Sequence, residues 1–172
     1  MHNLFHKKTS TGFSLIEMLI YISILSGIFI IIVSVLVSFS ASYRQVSALR
    51  VLERSAITAM ERMTRDIRAG TQVNDGLSTM GSSPGVLSIT QTQNSVSTTT
   101  RFYISANSVK MDVNNAYYGP LTGSDVTVTS LIFRKLTSSS TDAVKIDMTL
   151  QATKGNVTKS KTYHSTIILK GS

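Results

Sequence analysis

The chain has 172 residues, a formal net charge of +8 and no cysteine. That length suits one modest domain plus an appendage, and the lack of cysteine excludes disulfides, thiol catalysis and cysteine metal sites. Few aromatics, no tryptophan and abundant Ser and Thr fit a β-rich domain with polar loops better than a catalytic core.

Charge divides the chain into four segments: a leader over 1–12, a transmembrane or assembly helix over 13–43, an amphipathic helix over 44–70 and a β-rich domain over 71–172. The leader carries Lys7, Lys8, His2 and His6 and no acid. Met18 to Phe39 is an uncharged apolar run of 22 residues, roughly 33 Å as a helix, enough to cross a hydrocarbon core. A buried core helix is a poor alternative, because a domain of this size cannot cover so apolar a helix on every side. A secretory signal peptide fits less well, because its apolar region is normally shorter, about 7–15 residues. Lys7 and Lys8 precede the run, and Arg44, Arg50 and Arg54 follow it. Counting cations on either side therefore leaves the topology open.

Beyond the run, Val46, Leu49, Leu52, Ala56, Met60, Met63 and Ile67 recur at spacings of three and four, an amphipathic stripe. No Pro or Gly interrupts Ile28 to Ala69, and Gly70 is a plausible C-cap. One helix is therefore predicted from about Ser14 to Ala69, with Glu61 and Arg65 as an i,i+4 pair. Thr71 to Pro84 reads as a loop. Strands are predicted near Val86–Thr90, Thr99–Ile104 and Ser108–Val113, with a turn over Tyr117–Thr122. Val126 and Val128 share one phase and Leu131 and Phe133 the other, which predicts a bulge or bend. Val144 to Gln151 alternates most clearly, Lys154-Gly155-Asn156 is a turn, and Thr162–Leu169 closes the chain as a strand. The fold class is α+β: a long N-terminal helix, half membrane and half amphipathic, packed on a small antiparallel β-sheet domain.

The informative string is Gly12-Phe13-Ser14-Leu15-Ile16-Glu17, set between the basic leader and the apolar run. It resembles the processing site of type IV prepilins and type II secretion pseudopilins. The resemblance is strong over Lys7 to Phe39 and extends in layout to the whole chain. It implies cleavage between Gly12 and Phe13 by a prepilin peptidase on the cytoplasmic side, and then N-methylation of Phe13. It also implies a single-pass inner-membrane protein with its C-terminal domain outside the cytoplasm. Further partners would be other pilin or pseudopilin subunits and an inner-membrane assembly platform. In the family such a glutamate attracts a neighbouring subunit's N-terminus, which makes Glu17 the expected register residue. A carboxylate beside hydrocarbon is also a functional candidate on physical grounds. Gly27, among Ser23, Ser26 and Ser34, is a candidate for close helix packing. Many family members carry a proline in this span, and this chain has none. The chain also lacks a C-terminal cysteine pair, in contrast to many major pilins. Its helix running into Arg65-Asp66-Ile67-Arg68-Ala69-Gly70 looks like the minor pseudopilin J and PilW-like group.

No catalytic constellation, phosphate loop, metal site or cofactor site is expected, and the chain does not read as an enzyme. His164 has no fixed partner in sequence, and the acids after residue 70 are scattered singly. From Arg101 onward nine Lys or Arg face four Asp, a net +5. That excess supports an alternative, a DNA-capturing pilin of a competence system. No aromatic cluster near the lysines argues for base stacking. A membrane-anchored protein that never polymerises is a third reading.

Overall fold

The computed structural model describes residue 12, residues 14–137 and residues 142–170. The chain divides into two units, one ending at Ser42 and one spanning Tyr43–Ser172. A single helix, α1, covers Leu15–Ala69, with Glu17 in its first turn and Arg68 in its last. Both charges complement the helix dipole. The helix stops as expected: the Gly70 amide donates to the Ile67 carbonyl at 3.0 Å. A Cβ on Gly70 would sit 3.0 Å from that same oxygen, so glycine suits the tight exit.

In the second unit the helix packs on two antiparallel sheets. The first is a five-stranded meander of β1 (Gln72–Val73), β2 (Leu87–Gln93), β3 (Val96–Ser105), β4 (Ser108–Val113) and β5 (Ala116–Pro120). The second is a three-stranded meander of β6 (Thr127–Thr137), β7 (Asp142–Lys154) and β8 (Val157–Ile168). One small sheet was expected, and two share the core. Residues 71–84, expected as a loop, contain β1 and a 3-10 turn over Asp75–Leu77. The segment is tied to β2 by Asn74 Nδ2 donating to Thr90 Oγ1 at 2.8 Å and by the Ser88 amide donating to Ser78 Oγ at 2.9 Å.

Three hairpins turn in two residues: Asn94-Ser95, Ala106-Asn107 and Asn114-Asn115, all with positive φ at both positions. These dihedrals match the right-handed strand twist, and Asn tolerates them. The β7–β8 hairpin turns at Gly155-Asn156, as predicted. Tyr117–Thr122 was expected as a turn, but Ala116–Pro120 pairs with β4 instead. Pro120 is tolerated because β5 is an edge strand, where a missing N–H breaks no ladder. The phase change in β6 is a register shift between Val128 and Ser130, the bulge anticipated from the pattern.

One core joins helix and sheets. Leu52, Ala56, Ala59, Met63 and Ile67 of α1 meet Leu87, Ile89, Phe102 and Met111 of the first sheet and Leu131, Phe133, Ile146 and Met148 of the second. The outer edge of β6 is also covered. The Gly81 and Gly85 amides donate to the Phe133 and Leu131 carbonyls, both at 2.8 Å, and the Val128 amide donates to the Asn107 carbonyl at 2.8 Å. A Cβ on Gly85 would lie 2.8 Å from the Leu131 carbonyl oxygen, so only glycine permits that approach.

The helix stripe differs from its sequence reading in detail. Leu52, Ala56, Met63 and Ile67 are buried as expected, and Met60 is half-buried. Val46 and Leu49 are exposed, and Ala48, Ser55 and Ala59 take buried places instead. Small side chains let the helix backbone lie close to the sheets, a preference that a count of large apolar residues overlooks. The i,i+4 ion pair that forms is Arg62–Asp66 at 2.7 Å rather than Glu61–Arg65. The Asp66 bond is the main reason that the Arg62 guanidinium is held above its ordinary pKa.

Candidate functional site

Among the sequence-predicted site residues, Phe13 and the leader residues 1–11 lie outside the described residues. Gly12 is exposed, and a Cβ there would meet nothing within 4 Å among the described residues. Among the described residues, packing therefore does not demand glycine at position 12.

Two residues on, Ser14 begins the helix: the Met18 amide donates to its carbonyl at 3.1 Å. Glu17 sits in the first turn, and the Tyr21 hydroxyl donates to Glu17 Oε1 at 3.3 Å. An i,i+4 spacing places both side chains on one helix face. The contact keeps the carboxylate hydrogen-bonded while leaving it exposed.

The helix from Leu15 to Phe39 is uncovered. Leu15, Phe29 and Phe39 are 90%, 65% and 71% exposed. By length and composition the helix suffices to cross a membrane. Two of its serines turn inward on their own backbone: Ser23 Oγ donates to the Leu19 carbonyl and Ser34 Oγ to the Ile30 carbonyl, each at 2.9 Å. Those bonds satisfy the hydroxyls in an apolar setting. A Cβ on Gly27 would also meet nothing within 4 Å among the described residues.

The globular unit gathers charge in ways that the linear sequence did not reveal. His164 has a partner after all: its Nδ1 lies 2.6 Å from Asp147 Oδ1, directly across the β7–β8 ladder. Arg134 and Lys145 also reach Asp147. The His164 bond, with help from the two cations, holds the Asp147 carboxyl below its ordinary pKa. His164 itself is 62% exposed, so it remains a solvated strand residue. The signal was available, since Asp147 and His164 share the outward phase of two strands joined by a recognisable turn.

The basic excess is largely spent on local pairs. Lys135, Lys145, Lys154 and Lys161 each lie within 4.0 Å of a carboxylate. On the first sheet, however, cations and tyrosines do come together. Arg101 lies 5.2 Å from the Tyr103 ring centroid and Lys110 lies 5.5 Å from that of Tyr117. The expectation that no aromatic cluster stands near the lysines is thereby corrected. Strand alternation and hairpin register place on one face residues that are seven apart in sequence.

The long N-terminal apolar helix, continuing onto antiparallel sheets, resembles a pilin-like architecture. No family model, no curated protein and no solved structure matches the chain.

Proposed function

We propose that the chain is the precursor of a structural filament subunit of the type IV pilus or type II secretion pseudopilus kind. The observation that carries this reading is the string Gly12 to Glu17 at the start of an uncovered apolar helix that continues into a packed domain. A prepilin peptidase removes residues 1–12 and Phe13 becomes an N-methylated terminus. The helix holds the subunit in the inner membrane until the assembly platform stacks it against other subunits. Glycine at position 12, which meets no packing neighbour among the described residues, fits an extended backbone in a peptidase site. The Phe13 amine freed by cleavage gives Glu17 a cationic partner on a neighbouring subunit. Within the family, the minor pseudopilin J and PilW-like group is the preferred placement.

The test is co-expression with a prepilin peptidase, followed by mass spectrometry of the membrane-extracted chain. The expected product begins at N-methylated Phe13, and Gly12→Val retains the leader. An intact Met1 end in the presence of active peptidase would overturn the reading.

A further inference from the structure

We propose that the end of the globular unit nearest the apolar run binds an acidic phospholipid surface, with Arg44, Arg50 and Lys159 as phosphate contacts. The contact rests on the membrane placement of α1 in the reading above, and not on cleavage at Gly12 or on filament assembly.

Three contacts align β8 with the helix. At the tip of the β7–β8 hairpin, Arg44 Nη1 donates to Asn156 Oδ1 at 3.1 Å, and a Cβ on Gly155 would lie 3.2 Å from the same nitrogen. Further along, Lys161 Nζ donates to Glu53 Oε1 at 3.0 Å. Near the end of both elements the Lys170 amide donates to the Arg68 carbonyl at 3.2 Å. β8 therefore runs alongside α1 in the same direction, and the hairpin tip lies at the level of Arg44. Chain connectivity sets the depth of that level. Arg44 follows Phe39, the end of the apolar run, by only about 8 Å of helix. Tyr43 beside it is 68% exposed, and tyrosine favours the interface between hydrocarbon and water.

Charge decides the class of partner. No Asp or Glu occurs between Glu17 and Glu53 or beyond Asp147. Two carboxylates approach this end from elsewhere, and both have cations of their own: Glu53 pairs with Lys161 at 3.0 Å and Asp125 with Lys154 at 4.0 Å. Arg50 is exposed, and Lys159 precedes Lys161 on the same side of β8. Neither forms an ion pair among the described residues, and Arg44 bonds to the neutral Asn156 side chain at the same end. Cations gathered one short step beyond an apolar span suit lipid phosphates, because an acidic leaflet attracts Lys and Arg that lie within a Debye length of it. The position favours lipid over an acidic protein, since the bilayer is present whenever α1 is inserted.

The experiment places the full chain in lipid nanodiscs of phosphatidylcholine alone or of phosphatidylcholine mixed with phosphatidylglycerol. The chain has no cysteine, so Thr158→Cys beside the hairpin tip carries a single fluorophore. Thr158 is exposed, and its loss removes only a surface contact with Thr153. Quenching by lipid that bears a spin label on its headgroup reports whether the tip lies on the bilayer. The reporter is local, so Lys7 and Lys8 before the apolar run do not enter the signal. Quenching is expected to be stronger in the acidic discs, and the difference should vanish near ~1 M salt, where the Debye length falls to about 3 Å. Arg50→Gln and Lys159→Gln should each lower the ratio of docked to undocked tip about fivefold. Neither residue belongs to the core cluster, so both variants keep the fold. Equal quenching in the two compositions, a difference that survives salt, or unchanged docking in both variants would each overturn the proposal and leave the membrane reading standing. A chain that does not enter the discs would overturn both.

Discussion

Tyr163 carries a cost that the fold does not offset. Its ring packs against the core from β8, and among the described residues its hydroxyl is buried without a hydrogen-bond partner. A buried, unpaired hydroxyl costs about 1–3 kcal/mol. Tyr163→Phe should therefore stabilise the protein, by about 1 kcal/mol, read as a higher unfolding midpoint in urea. The same burial raises the hydroxyl's pKa. Its contribution to stability is therefore complete below the unfolded value near 10 and is lost as pH rises through the folded value. The parent should weaken in strong alkali more than Tyr163→Phe does. Asp147 works in the opposite direction. Its folded pKa is depressed, so its contribution is present above the unfolded value of about 3.9 and disappears as pH falls through the folded value. Acid titration of the urea midpoint should show a loss below about pH 4 that Asp147→Asn lacks.

At the scale of elements, the helix stripe separates burial from periodicity. Leu52 and Met63 are fully buried, whereas Leu49 is 37% exposed. Leu52→Ala and Met63→Ala should each cost about 2–5 kcal/mol, while Leu49→Ala should stay within roughly 0.5 kcal/mol, as surface changes do. Denaturant unfolding of the three variants checks the order, and equal losses at all three would show that the helix packs through a different face. The three-stranded sheet also protects its edges. The outer side of β6 is covered by the loop carrying Gly81 and Gly85. At the other edge, Lys161 stands on the core-facing side of β8, pairing with Glu53 of α1 at 3.0 Å. An inward-pointing charge on an edge strand discourages pairing with a further strand.

At the scale of the whole molecule, the proposed function acts between copies. Within its own helix Glu17 accepts a hydrogen bond from the Tyr21 hydroxyl, and its proposed pairing role would begin after cleavage and with a neighbour's Phe13 amine. Glu17→Val should leave membrane insertion and leader removal intact, because the apolar run and Gly12 remain. It should impair incorporation into filaments, since an uncompensated amine entering an apolar bundle costs several kcal/mol. Glu17→Asp should be milder than Glu17→Gln. The measurement is the amount of sheared filament against the amount of processed subunit in the membrane. Normal filament yield from Glu17→Val would refute the register role and leave the processing proposal standing.

Much of this protein was legible in order of residues alone. The long helix, its stop at Gly70, the β6 bulge, the β7 strand and the β7–β8 turn all rest on local rules: apolar period, glycine geometry and strand alternation act over a few neighbouring residues. The Gly12–Glu17 string belongs to the same level, because it is read as a continuous segment. What required the tertiary structure was every choice between surfaces. Periodicity could not separate Leu49 from Leu52, since burial depends on where the sheets end. It could not reveal two sheets rather than one, nor β5 in place of a turn, because strand pairing is a contact between distant residues. Nor could it set Tyr103 and Tyr117 beside Lys110, because hairpin register alone brings those side chains to one face.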